Sequence, residues 1–166
     1  MKQEKSKISV LMSVYKKENP EYLRASLESI LVQTRTADEI LLIEDGPLTQ
    51  ELYQVVAEYQ KKCDYLHVHA MEQNVQLGRA LAKGVELCQY DLIARMDTDD
   101  IAMPHRLEKE GAYMEAHPEV DVVGGAIREF NDEGTIDRVK NMPKTQEEIL
   151  EYVKVRNPLN HMTVMY

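Results

Sequence analysis

Apolar residues along this chain alternate between two rhythms. Short unbroken runs read as buried strands, and runs with hits every three or four positions read as helices. Ile8–Val14 (ISVLMSV) is apolar and β-branched, a buried strand. Asn19-Pro20 then supplies an N-cap and a proline at the first helical position. Leu23, Leu27, Ile30 and Leu31 recur at helical spacing, so that helix should run to about Val32. Residues 39–43 (EILLI) form a second strand, closed by Glu44-Asp45-Gly46-Pro47. Leu52, Val55, Val56 and Tyr59 mark a second helix, and residues 65–70 a third strand. Leu77, Leu81 and Val85 mark a third helix, with Ala80 and Gly84 on a neighbouring line suited to close packing. Residues 91–96 form a fourth strand, and Pro104 opens a helix through about Ala116.

Four alternations of buried strand and helix predict an α/β fold, a mostly parallel sheet with helices on both faces. The pattern then changes. Residues 120–125 read as a strand, and 126–131 with 135–139 flank Asp132-Glu133-Gly134, a hairpin signal. Thr145-Gln146-Glu147-Glu148 is a capping box that opens a short helix through about Val153. Residues 161–166 look like one more strand, and the sequence stops inside it. There are no repeats, low-complexity segments or linkers. Residues 1–166 therefore read as a single domain whose last part is truncated. A severed strand should expose an edge, so self-association is expected.

Composition narrows the function. Apolar residues make up 43%, enough for a packed core. The formal net charge of −9 argues against nucleic acid as a partner, because phosphate backbones need clustered Lys and Arg. Cys63 and Cys88 lack metal-ligand spacing and read as free thiols of a reducing compartment. No signal peptide follows the polar N-terminus, and no apolar run approaches the ~20 residues of a membrane helix. The expectation is a cytoplasmic chain, at most peripheral at the inner face of the membrane.

The candidate chemistry lies at Met96-Asp97-Thr98-Asp99-Asp100, directly after the fourth strand. Ionised carboxylates packed this closely repel one another and raise each other's pKa. A hard divalent cation removes that conflict, and oxygen ligands suit Mg²⁺ or Mn²⁺. In open α/β sheets, ligands bind outside the carboxyl ends of strands. An Asp-x-Asp there points to a metal bridging the protein to a diphosphate; a solvated acidic turn is the plainer alternative. The first strand's loop, Ser13-Val14-Tyr15-Lys16-Lys17-Glu18-Asn19, lacks both the dinucleotide G-x-G-x-x-G and the P-loop pattern. In the second loop, Asp45 would suit the imide N–H of a uracil, or simply serve a tight turn with Gly46 and Pro47. Arg79, near the start of the third helix, would reach a diphosphate or stand as a surface arginine.

Two other motif readings compete. Asp97-Thr98-Asp99 resembles the nucleophile motif of haloacid-dehalogenase-type phosphatases, with Ile101 a near miss at the last position. In those enzymes the motif usually sits on an early strand, and here it follows the fourth. A calcium loop would place Asp97, Asp99 and Glu108 at ligand positions, but Ile101 occupies another and Ala102 replaces the needed glycine. A non-catalytic nucleotide-binding module is a further alternative.

Taken together, the motifs resemble the inverting family 2 glycosyltransferases, and in particular their bacterial polysaccharide-assembly branch. The resemblance spans nearly the whole chain. It is carried by residues 8–15, Tyr22-Leu23, Ser26-Leu27 and residues 29–34; by Glu39-Ile40 and Glu44-Asp45-Gly46; and by Asn74, Leu77-Gly78 and Ala80-Leu81. It continues through residues 96–100, Pro104, Arg106-Leu107 and residues 157–165. The sequence departs from the family pattern at Glu44, Pro47, Gln76 and Ala82, where Asp, Ser, Gly and Asn are common.

The resemblance implies a GT-A (Rossmann-like) fold and transfer of a sugar, with inversion, from a nucleoside-diphosphate sugar to an acceptor hydroxyl. A UDP-sugar is the favoured donor and a glycan or lipid-linked molecule the acceptor. Ser13, Tyr15, Asp45, Arg79, Asp97 and Thr98 would bind the nucleotide-sugar. Asp97 and Asp99 would hold Mg or Mn, with Asp99 the direct ligand. His161 would lie on the acceptor side. The general base is expected beyond Tyr166, in a missing acceptor-binding part, and Glu129, Asp132 and Glu133 are read as solvated turn residues. Asp100 is expected to turn away from Asp97 and Asp99 by strand alternation.

Overall fold

The computed structural model describes residues 5–131 and 136–166. A parallel sheet in the order β3-β2-β1-β4 forms its centre. The strands are β1 (Ile8–Val14), β2 (Glu39–Glu44), β3 (Leu66–Ala70) and β4 (Leu92–Asp97). Each lies within one residue of the sequence reading, because a strand covered on both faces must be apolar throughout. The helices are α1 (Pro20–Leu31), α2 (Gln50–Lys62), α3 (Leu77–Leu87) and α4 (Arg106–Ala116). Asn19 caps α1 by accepting from the Glu21 amide, and Thr49 caps α2 by accepting from the Leu52 amide.

Helices cover both faces. Val10, Met12 and Val14 pack with Leu23, Leu27 and Ile30 of α1, Leu52 and Val55 of α2, and Leu107 of α4. Leu11, Leu41, Ile43 and Ile93 form the other face's core with Ala80 of α3. Each fully buried aliphatic side chain contributes about 1.5–3 kcal/mol. On α3 the buried line is Ala80 and Gly84, while Leu77 and Val85 are exposed. Of the Leu77–Leu81–Val85 stripe only Leu81 packs against the core, and the close-packed line is the expected Ala80–Gly84. A Cβ on Gly84 would lie 2.3 Å from Leu11 Cδ1, so the helix approaches too closely for larger residues along that line.

Beyond α4 two expectations are corrected. Residues 120–125 do not form a strand: Val123 alone makes an antiparallel bridge, to Met165. The polar groups of Gly125 bond to side chains instead, its amide to Thr163 Oγ1 at 2.9 Å and its carbonyl to Asn160 Nδ2 at 3.2 Å. Residues 161–166 begin as a short 3₁₀ helix, His161–Thr163, closed by the Thr163 amide on the Asn160 carbonyl at 2.9 Å. The last residues then bond to β4 through Ile93 and Arg95 on one side and to Val123 on the other, with Met165 fully buried. The exposed edge expected there is absent, because Val123 covers it. β5 (Ile127–Phe130) and β6 (Ile136–Lys140) pair antiparallel as expected. The hairpin turn at Asp132-Glu133-Gly134 lies outside the described residues. α5 (Gln146–Tyr152) carries the expected capping box between Thr145 and Glu148. Among the described residues, no helix is long and apolar enough to cross a membrane.

Candidate functional site

The chain winds from β1 outward to β2 and β3, then returns to place β4 on the other side of β1. That reversal opens a crevice at the carboxyl ends of β1 and β4, where Ser13 and Asp97 are register partners. A cleft of about 460 Å³ sits there. Ser13, Tyr15, Asp45, Asp97, Thr98, Asp99 and His161, all singled out from sequence, line it. Arg79 is exposed and does not line it. Glu18, Asn74, Gln76 and Leu77 also line it, and sequence reasoning gave them no site role.

Helix α1 fixes the acidic loop. Ser26 Oγ donates to the Asp97 carbonyl at 2.8 Å, and Ser29 Oγ accepts from the Ala102 amide at 3.0 Å. Buried Gln33 donates to the Met103 carbonyl at 2.9 Å and accepts from the Leu107 amide at 3.1 Å. Arg106 reaches back from α4 to the Arg95 carbonyl at 2.8 Å. Ser26 and Ser29 of α1, with Gln33 just beyond its end, thus supply bonds that an irregular loop cannot make to itself. Thr98 Oγ1 lies 2.6 Å from Glu18 Oε2, to which it donates, and joins the loops after β1 and β4.

The turn after β2 is equally determined. Gly46 has φ +84°, and a Cβ there would lie 2.5 Å from the Asn74 nitrogen. Asp45 is buried and accepts from the Val75 amide at 2.6 Å and from Asn74 Nδ2 at 2.9 Å. One carboxylate therefore holds the loop before α3 and faces the cleft. It can still accept from a ligand, because a carboxylate offers about four lone-pair sites.

At the end of β4, oxygens of Asp97, Asp99 and Asp100 all lie within 4.8 Å of one another. Asp100 is not turned away. Strand character ends at Asp97, and Thr98 and Asp99 form a turn, so alternation no longer applies. Burial, then the charges of Asp97 and Asp99, push the Asp100 carboxyl up to about 6, against the pull of Arg95 and Arg106. His161 Nδ1 lies 3.8 Å from Asp97 Oδ2. Three hard oxygen donors in one cluster fit Mg²⁺ or Mn²⁺.

The Glycosyl transferase family 2 profile matches residues 9–165 of this chain. The chain belongs to this family. Its relatives include the amylovoran biosynthesis glycosyltransferase AmsE of Erwinia amylovora, 44% identical over 95% of this chain and 59% of AmsE. An Escherichia coli UDP-Gal:alpha-D-GlcNAc-diphosphoundecaprenol beta-1,3-galactosyltransferase is 34% identical over 100% of this chain and 60% of that enzyme. The chain thus spans about 60% of the length of these curated relatives. The crystal structure of Staphylococcus aureus TarS 1-349 in complex with UDP-GlcNAc superposes with a TM-score of 0.67 at 23% identity, covering 78% of this chain and 36% of TarS. That likeness shows the GT-A fold. With family membership shown, the phosphatase and calcium-loop readings have no remaining support.

Proposed function

We propose that this chain binds the donor for an inverting glycosyltransferase. The enzyme would move a sugar from a nucleoside-diphosphate sugar, a UDP-sugar by preference, to an acceptor hydroxyl in cell-surface polysaccharide synthesis. The observation that carries the reading is one cleft at the β1/β4 reversal that holds Asp45, Asp97 and Asp99 together. The names of the relatives support it: one acts in amylovoran biosynthesis, another takes UDP-Gal.

Asp45 accepts from uracil N3–H, beside Ser13 and Tyr15. Asp97 and Thr98 face the ribose and diphosphate, and Arg79 contacts phosphate only after a change of rotamer that brings it to the cleft. Asp99 and Asp97 would hold the Mg or Mn ion, with the Asp100 oxygen within reach. When bound, the ion supplies Lewis-acid stabilisation of the leaving nucleoside diphosphate. His161 marks the acceptor side. The acceptor is a glycan or lipid-linked molecule, which would bring a cytoplasmic enzyme to the inner face of the membrane. Self-association would use the exposed apolar surface at Ile101, Met103, Tyr113 and Phe130. Calorimetry with UDP in Mn²⁺ or Mg²⁺ should show binding that EDTA weakens. Equal binding with and without metal would remove the central argument.

A further inference from the structure

We propose that Arg95 is a buried counter-charge that orients Asp97 and makes cation capture at the acidic cluster depend on the nucleotide's diphosphate. The proposal rests on the nucleotide-sugar reading of the cleft. Arg95 is buried in β4 with its side chain on the face of Leu11 and Ile93, opposite Ala94 and Met96. A guanidinium brings five N–H donors into that apolar surrounding. It forms an ion pair with Asp97 Oδ1 without hydrogen-bond alignment, and among the described residues none of its three nitrogens has a hydrogen-bond partner.

The nearby Arg106 shows the contrast. It bonds to the Arg95 carbonyl at 2.8 Å and to both oxygens of Glu110 at 3.2 and 3.1 Å. Arg106 is satisfied, whereas the direct ion pair of Arg95 is with Asp97, with Asp100 a further carboxylate within reach of its charge. Asp97 is in turn held at both ends: Ser26 binds its carbonyl at 2.8 Å and Arg95 its carboxylate. A bare divalent cation arriving at Asp97 meets the fixed charge of Arg95 at close range, little screened by solvent. A diphosphate arriving with the cation offsets that repulsion. Metal and nucleotide should therefore bind together, each weakly alone.

Electron paramagnetic resonance of Mn²⁺ tests this on the full 166-residue chain, with Mn²⁺ alone and with UDP, in wild type, Arg95→Met and Arg95→Lys. Arg95→Met should bind Mn²⁺ alone on the order of tenfold more tightly. The factor by which UDP strengthens Mn²⁺ binding should shrink similarly. Arg95→Lys keeps the charge and should keep the wild-type factor. An Arg95 that only filled space would leave that factor intact in Arg95→Met, with Mn²⁺ affinity unchanged or lower; that result overturns the proposal. Should Arg95→Met fail to fold, metal-free thermal unfolding of Asp97→Asn against Asp99→Asn decides. A larger Tm loss in Asp97→Asn supports the counter-charge, because a buried guanidinium is stranded, and equal losses overturn it. Wild-type chain that never binds UDP removes the nucleotide reading, while the Mn²⁺-alone arm still decides the effect of Arg95's charge.

Discussion

Gln76 has φ +74° and ψ 152°, a backbone region that glycine occupies at little cost and other residues rarely adopt. It stands where the family commonly has glycine. Gln76→Gly should relieve strain of order 1–3 kcal/mol, less the extra entropy of a glycine in the unfolded chain. A gain of about 1 kcal/mol in urea unfolding is expected, and a loss would mean that Gln76 is held by the cleft rather than strained in it. In the same cleft, Asp99→Asn should weaken metal-dependent UDP binding about tenfold. Asp100→Asn should weaken it too, since its oxygen joins the same cluster. The Asp100 carboxyl titrates near 6, above the 3.8 of a free aspartate, so the metal-free folded chain keeps a proton that the unfolded chain has lost. Stability should therefore fall as pH rises from about 4 to 6. Asp100→Asn should match wild type below that window and exceed it above. Burial raises Glu110 to about 7, against the pull of Arg106, and slopes the profile the same way in both chains, so the difference between the two melting curves isolates Asp100.

At the scale of elements, packing is decided by approach distance as much as by apolarity. Gly84→Ala would place a methyl 2.3 Å from Leu11 Cδ1 and 3.2 Å from Ile43 Cγ1. Overpacking costs typically ~1–3 kcal/mol, which should exceed the ~1 kcal/mol that alanine gains in helix propensity. Net loss of stability is expected, and Leu11→Val in the same chain should recover part of it; strict additivity of the two changes would show that they do not meet. The elements themselves were legible because each strand is apolar throughout and α1 and α2 carry caps and periodic stripes. The face of α3 was legible only in part: Ala80 and Gly84 marked the close-packed line, but Leu77 and Val85, which helped give the periodic signal, remain exposed. The 3₁₀ helix at residues 161–163 was not legible at all. Its backbone follows from side-chain bonds between Thr163, Asn160 and Gly125, which no local pattern announces. The role of Gln33 is of the same kind: it stood out as a motif residue, but its partners Met103 and Leu107 are some 70 positions away. Gln33→Leu should cost about 1–3 kcal/mol by leaving a buried amide unpaired, and it should also weaken UDP binding by loosening the acidic loop.

For the whole molecule, the doubly covered sheet delivers one wall of the candidate cleft and engages the carboxylates that line it. Asp45 holds Asn74 and Val75, Glu18 accepts from Thr98, and Asp97 answers Arg95. Asp99 and Asp100 share the cation cluster with Asp97. Glu129, the hairpin carboxylate among the described residues, pairs with Arg138 and does not line the cleft. Inverting transfer requires a carboxylate free to take a proton from the acceptor hydroxyl within hydrogen-bond reach. Among the described residues, each of these carboxylates already has a partner or a place in the cation cluster. The 166-residue chain should therefore bind UDP with metal and hydrolyse a UDP-sugar slowly, while transferring little sugar to an acceptor. Loss of a general base costs typically ~10²–10⁴-fold, and loss of acceptor positioning adds to that. A radiolabelled UDP-sugar assay with a lipid-linked acceptor separates hydrolysis from transfer. Transfer well above hydrolysis would place the base among these residues. Glu18 would then be the first to replace, because it lines the cleft yet lies outside the cation cluster.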